Sequence, residues 1–394
     1  MQARIDAPAP ARRLAVLVSA MAIAQTLLFS ALAPLLPSLE AKFGLSKAQA
    51  GLLVAMFPIG LGVAGLPLAL FSSRLGVKGF ALAGLVVLTV ASVAFGMADS
   101  YSQLLVTRFL QGAGGALVWS SGLAWLVGAA PQRRGEMIGL FSGAAAAGQM
   151  IGAVVGGLAV LVGRAAVFGA VAVFTLLVAG VGARFAGPQR DEPQSITRLG
   201  KAHRSHRVLS ALWLVAVPSL LLGTIYALSP LQLDREGWGP VGIAVTFLAA
   251  AACGVVARPL AGRWSDRRGY LPALRVLFVV CIPVTVLIPW VHQRWLLSAC
   301  IVIAVSSYGV LFGPAMALTS QVYEREEVAP VFGFAFIGLM FAGGFFVGSA
   351  AGGEIAHLAN DATAYALVAG ACLATVGGLA RARRSGVLPE SLGR

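Results

Sequence analysis

Runs of about twenty apolar residues recur along almost the whole chain, and each can cross a bilayer core of about 30 Å as an α-helix. Composition agrees with that pattern. Of 394 residues, 58% belong to the hydrophobic set and 11% are charged, with a mean hydropathy of +0.87, whereas an ordinary soluble domain is roughly a quarter charged. Soluble globular, secreted and disordered chains are excluded. The expectation is an all-α polytopic membrane protein with twelve spans, near residues 14–37, 47–71, 79–98, 102–129, 137–162, 165–183, 208–232, 241–258, 272–291, 295–320, 329–357 and 362–380.

A net charge of +14 can indicate a nucleic-acid partner, but here its distribution reports topology. Of the 29 lysines and arginines, 23 fall in segments that lie inside if the N-terminus is inside, and five fall outside. Arg258, Arg263, Arg267, Arg268 and Arg275 form the largest of the inside clusters after the central loop. Arg108 alone lies within a span. Such asymmetry places both termini in the cytoplasm, and no nucleic-acid partner is expected. Arg12 and Arg13 precede the first span as in a signal peptide, but no small-residue cleavage site follows, so the span is expected to be retained.

Cys253, Cys281, Cys300 and Cys372 fall in apolar spans at no metal-ligand spacing, as buried free thiols would. His203, His206, His292 and His357 lie in loops or at span ends. No G-x-x-x-x-G-K-[ST] phosphate loop occurs. Neither a metal, a cofactor nor an enzymatic constellation is expected.

The one long internal polar stretch, 184–207, separates residues 1–183 from residues 208–394, six spans from six. The two parts repeat one another. Gly148, Gly152, Gly156 and Gly157 of span 5 correspond to Gly344, Gly348, Gly352 and Gly353 of span 11 at a shift of 196, as do Pro34 and Pro230. The loop FSSRLGVKG after span 2 matches WSDRRGYLP after span 8 at a shift of 193. A duplicated six-span unit is the architecture of a carrier whose site lies between halves at mid-membrane. Glycines four apart share a helix face and permit close helix approach. They serve plain packing or, in addition, a rocking contact with the other half.

Two motifs name a family. After span 8 stands Gly262-Arg263-Trp264-Ser265-Asp266-Arg267-Arg268-Gly269, similar to the cytoplasmic G-x-L-x-D-R-x-G loop of the major facilitator superfamily. Span 4 carries Arg108-Phe109-Leu110-Gln111-Gly112-Ala113-Gly114, which resembles the R-x-x-Q-G-x-G element of that superfamily's proton-linked branches. Nearly the whole chain fits the resemblance, which extends to the twelve-span drug/proton antiporter branch. It implies two pseudo-symmetric six-helix bundles, with Asp266 and Arg267 as a latch of the outward-open state. The first-half loop has Arg74 and Gly76 but Ser73 in place of the acid, which leaves the latch mainly to the second half or weakens it altogether. Span 5 has Gln149 where drug/proton antiporters carry proline, in Gly148-Gln149-Met150-Ile151-Gly152.

In this family, spans 1, 4, 7 and 10 line the central cavity. Near mid-depth they offer Gln25, Trp119, Ser120, Tyr226, Ser307 and Tyr308, aromatic walls with a few polar groups that suit an amphipathic organic molecule; packing is the alternative role for the aromatics. Arginine in a span costs at least about 2.5 kcal/mol on insertion scales, so Arg108 is either functional or snorkels to the outer headgroups. Proton coupling calls for a carboxylate in a low-dielectric site. Glu354, in span 11, is the one candidate away from loops and outermost turns, unless it is simply solvated at a helix end; Glu40 and Asp234 are weaker outer-gate candidates. The expected activity is proton-coupled export of small organic compounds by a monomer. Uptake of a small anion or metabolite is the alternative, favoured by Arg108 and by the lack of a mid-span acid. Arginine outnumbers lysine 25 to 4, a composition that hints at a GC-rich bacterial genome and an inner-membrane location.

Overall fold

The structure is a computed structural model that describes residues 9–129, 134–187, 206–325 and 330–385. The described residues contain helices and no strand. In order they form α1 (Ala9–Ser30), α2 (Leu32–Phe43), α3 (Lys47–Met97), α4 (Tyr101–Ala129), α5 (Arg134–Val162), α6 (Arg164–Ala183), α7 (His206–Arg235), α8 (Pro240–Arg268), α9 (Tyr270–Leu287), α10 (Arg294–Arg325), α11 (Pro330–Leu358) and α12 (Asp361–Ser385). Among the described residues, ten stretches are long and apolar enough to cross a bilayer, and α9 with its following 3₁₀ turn adds a shorter apolar one, Leu274–Trp290.

Span 1 is longer than the sequence suggests. The helix breaks at Ala31 and resumes to Phe43, ending at Gly44 with φ 62°. Pro34 explains the break, because proline cannot donate the i→i−4 bond and its ring crowds the preceding turn. Spans 2 and 3 run as one helix, interrupted at Gly76 (φ 72°, ψ 157°). Gly269, between α8 and α9, takes φ 88° and ψ 155°. These two glycines stand 193 residues apart, and the repeat is thus visible as a shared backbone conformation that L side chains rarely adopt.

Each part of the chain has its own core. Val18, Leu28, Phe57, Leu88, Phe141 and Phe168 belong to one; Leu221, Phe247, Phe278, Ile301 and Tyr365 belong to the other. Glycine stripes tighten each. A Cβ on Gly148, Gly152 or Gly156 would collide with α1 or with Ala31 just after it, and one on Gly344 or Gly348 with α7. The stripes therefore bind helices of their own half, the packing role that their spacing implies. A different glycine of each doublet faces across. A Cβ on Gly157 would lie 3.0 Å from Ala244 Cβ of α8, and one on Gly353 would lie 2.6 Å from Lys47 O and 3.0 Å from Gly51 Cα of α3.

These cross-half contacts gather at one end of the bundle, the end predicted to be outside. Farther along α3, a Cβ on Gly62 would still meet Ala342 Cβ at 2.9 Å. One turn on, Gly65 and Gly338 meet nothing within 4 Å. Among the described residues, the halves touch at the predicted outer end and along α3 as far as Gly62, and Gly65 and Gly338 beyond it face open space.

Candidate functional site

The buried arginine of the span 4 motif is held by its own helix and by α1. Arg108 is 2% exposed. Its Nη1 donates to Leu28 O at 2.9 Å and to Gln111 Oε1 at 2.8 Å, and its guanidinium lies 4.8 Å from the centroid of the Phe57 ring. The R-x-x-Q spacing thus puts donor and acceptor on neighbouring turns. Gly112 lets α3 approach at this level, where a Cβ would strike Phe57 O. Gln25, also buried, packs against Gly115. Gln25 Oε1, Gln111 Nε2 and Arg108 Nε are buried without a hydrogen-bond partner among the described residues.

The two halves meet around aromatic rings. Phe29 of α1 lies 5.5 Å from Tyr226 of α7 and 5.4 Å from Phe345 of α11, centroid to centroid. Tyr226 also packs on Phe247 of α8 at 5.1 Å. Offset and edge-on pairs at such distances are favourable. Tyr226 is half-buried, and its hydroxyl is near enough to Arg258 for the two to interact electrostatically.

Arg258 corrects the sequence reading, which counted it among the loop arginines after span 8. Helix α8 continues to Arg268, and Arg258 falls inside the apolar stretch Pro240–Ser265. Its guanidinium folds back over Gly254, one turn earlier, and faces α10, where a Cβ on Gly309 would come within 3.2 Å of Nη2. The side chain is open to solvent yet surrounded by protein, as expected in a concave wall. A sequence signal existed: the small residues Gly254 and Gly309 leave room for a long side chain, but only the fold brings them together.

The other predicted residues separate. Tyr308 is fully buried against Thr285, to which its hydroxyl is hydrogen-bonded, so it packs in the core. Ser307 is half-buried and pairs with Cys281. Trp119 is half-buried, its ring 4.7 Å from that of Phe141, and Ser120 is exposed. Gly262 is open, and Arg267 is exposed. The side chains of Arg74 and Asp266 lie outside the described residues.

At the closed end, Lys47 Nζ meets Asp361 Oδ1 at 2.7 Å, and Arg235 also pairs with Asp361. Glu40 stands close enough to feel Arg235 and Lys47, with Asp234 beside it. Glu354 is exposed, beside the tightly packed Gly353, and makes no ion pair among the described residues.

The model of the Major Facilitator Superfamily matches residues 18–348. The chain belongs to this superfamily. Major facilitator architecture also emerges from solved structures: a bacterial homologue of the human lysosomal transporter Spinster superposes with a TM-score of 0.74 at 17% identity, covering 96% of both chains. A nucleoside transporter gives 0.76 at 12% identity, over 93% of this chain and 99% of the other. Those identities speak for the fold alone. Among curated proteins, the synaptic vesicular amine transporter of Homo sapiens is 24% identical over 286 residues, 70% of this chain and 55% of that protein. The chain thus spans about half the length of the curated relatives it matches over most of its own. The methylenomycin A resistance protein of Streptomyces coelicolor is 40% identical over 81 residues, 20% of this chain. This family and its structural neighbours are transporters, not enzymes.

Proposed function

We propose that this major facilitator protein is a secondary carrier that exports small amphipathic organic compounds by alternating access, driven by the proton gradient of a bacterial inner membrane. The observation that carries the reading is the asymmetry of the inter-half contact. The halves are clasped at one end through Gly51, Gly353, Lys47 and Asp361, and the described glycines beyond Gly62, Gly65 and Gly338, face open space, as in a carrier resting with one gate closed. If the arginine-rich side is cytoplasmic, the cavity opens to the cytoplasm and is poised to load a compound for export. Likeness to an amine transporter and to a resistance protein supports movement of small organic molecules. Asp361, in the clasp, is the carboxylate proposed for proton coupling, and Glu354 beside it is the alternative.

A second reading, uptake of a small anion or metabolite, is favoured by one observation: Arg258 stands inside an apolar stretch with no ion pair among the described residues. Everted membrane vesicles with a fluorescent pH reporter separate the two. Compound-dependent loss of the acid interior, absent from vesicles lacking the protein, is expected. No response to cationic, neutral or anionic compounds, with the protein folded and inserted, would overturn proton-linked export.

A further inference from the structure

We infer that Arg258 and Tyr226 form an anion-binding subsite, and that the transported compound carries a carboxylate or similar anionic group on an aromatic or apolar body. The inference rests on the carrier reading above and names its substrate class.

Arg258 lies seven residues before Ser265 at the inner end of its apolar stretch, roughly 10 Å of helix rise into the membrane. A cation at that depth is costly and marks a functional position unless it is paired. Among the described residues Arg258 has no hydrogen bond and no ion pair. Arg108 of α4 differs in this respect, since Leu28 O and Gln111 occupy its Nη1. Nor does Arg258 face lipid. Val256 and Leu260, two residues to either side, lie about 160° away around the helix and are 65% and 58% exposed. The arginine points the other way, towards Gly309 of α10 and Tyr226 of α7.

The direction of the side chain defines what it can hold. A helical side chain leans towards the N-terminus of its helix, so the guanidinium lies over Gly254 and is directed towards the aromatic cluster that closes the space between halves. Guanidinium donors match a carboxylate in bidentate fashion, and the Tyr226 hydroxyl supplies a further donor. Behind them, the half-buried rings of Tyr226 and Phe29 offer a surface for an apolar or aromatic body. An organic cation finds no comparable partner. The described carboxylates Glu40, Asp234 and Asp361 lie at the closed end, and Asp361 is already engaged by two cations.

Equilibrium binding to the purified full chain in lipid nanodiscs tests this, with 2-naphthoate, 2-naphthylmethanol and 2-naphthylmethylammonium as probes of one shape and three charges. The wild type is expected to bind naphthoate about tenfold or more tightly than the other two, as for hydrogen bonds to a charged group. Arg258→Gln is expected to abolish that preference while binding of the alcohol stays within twofold, and Arg258→Lys to restore part of it. Equal affinities for the three probes, no saturable binding of naphthoate by the folded protein, or an unchanged preference in Arg258→Gln would each overturn the subsite. Binding requires neither transport direction nor proton coupling. A silent vesicle assay with intact naphthoate preference would refute the export reading alone, and the reverse pattern would refute the subsite alone.

Discussion

Asp361, the first residue of α12, accepts a hydrogen bond from Lys47 Nζ at 2.7 Å, and Lys47 is the first residue of α3. One carboxylate thereby ties the second half of the molecule to the first, while its other oxygen holds Arg235 of the second half. Side-chain exposure is 13% for Asp361, 27% for Lys47 and 50% for Arg235. Solvent around the two cations reduces what the clasp contributes, to on the order of 1–2 kcal/mol.

Asp361→Asn is therefore expected to shift the population towards opening at this end by about five- to thirtyfold. The readout is the labelling rate of Ser349→Cys by a membrane-impermeant thiol reagent, in a background without the four native cysteines. Ser349 is fully buried, and its carbonyl lies against Gly51. Equal labelling rates with and without the aspartate would sink the clasp.

The paired glycines predict two distinct phenotypes. Gly348→Val places a branched side chain against Leu220 O within the second half. Overpacking of this kind costs about 1–3 kcal/mol, and a lower melting temperature in detergent is expected. Gly353→Val instead collides with Lys47 O and Gly51 Cα of the first half, so the halves separate while each stays folded. Unchanged melting with faster Ser349→Cys labelling is the expected result. Matching losses of stability in both variants would contradict the division of labour between stripe and doublet.

How far the sequence led can be argued from these same residues. Apolar run length and the repeat carried the helical architecture, because each is a local or periodic property of the chain. The Gly76 and Gly269 pair even preserves its register in backbone angles. The sites were less legible. Depth along a span does not say which way a side chain points, so Tyr308 reads as a cavity residue although it packs against Thr285. Arg258 was hidden for a related reason. A helix that runs beyond its apolar stretch makes an intramembrane arginine look like one more loop arginine. The Lys47–Asp361 pair spans 314 residues, and nothing periodic announces it.

The two intramembrane arginines should separate stability from recognition. Removing Arg108 leaves Leu28 O and Gln111 Oε1 without their donor in a buried site. A charged hydrogen-bond donor there contributes about 1.5–3 kcal/mol, and stacking over Phe57 adds to it. Arg108→Ala is expected to melt several degrees lower, with Arg108→Lys intermediate. Arg258→Ala breaks no described hydrogen bond and is expected to melt with the wild type. A larger loss from Arg258→Ala than from Arg108→Ala would reverse the roles given to the two residues.

Proton coupling can be assigned between the two carboxylates beside the clasp. A proton on Asp361 would discharge the group that Lys47 and Arg235 bind, so its arrival and the release of the halves are one event. A proton on Glu354 discharges an exposed carboxylate that holds no cation among the described residues. In proteoliposomes with an imposed pH gradient, Asp361→Asn is expected to retain exchange of compound across the membrane but to lose uphill accumulation. Glu354→Gln is expected to keep both. The exchange measurement guards against a variant that has merely failed to fold. Retained uphill transport in Asp361→Asn, together with its loss in Glu354→Gln, would move the coupling proton to Glu354 and leave the clasp a purely mechanical contact.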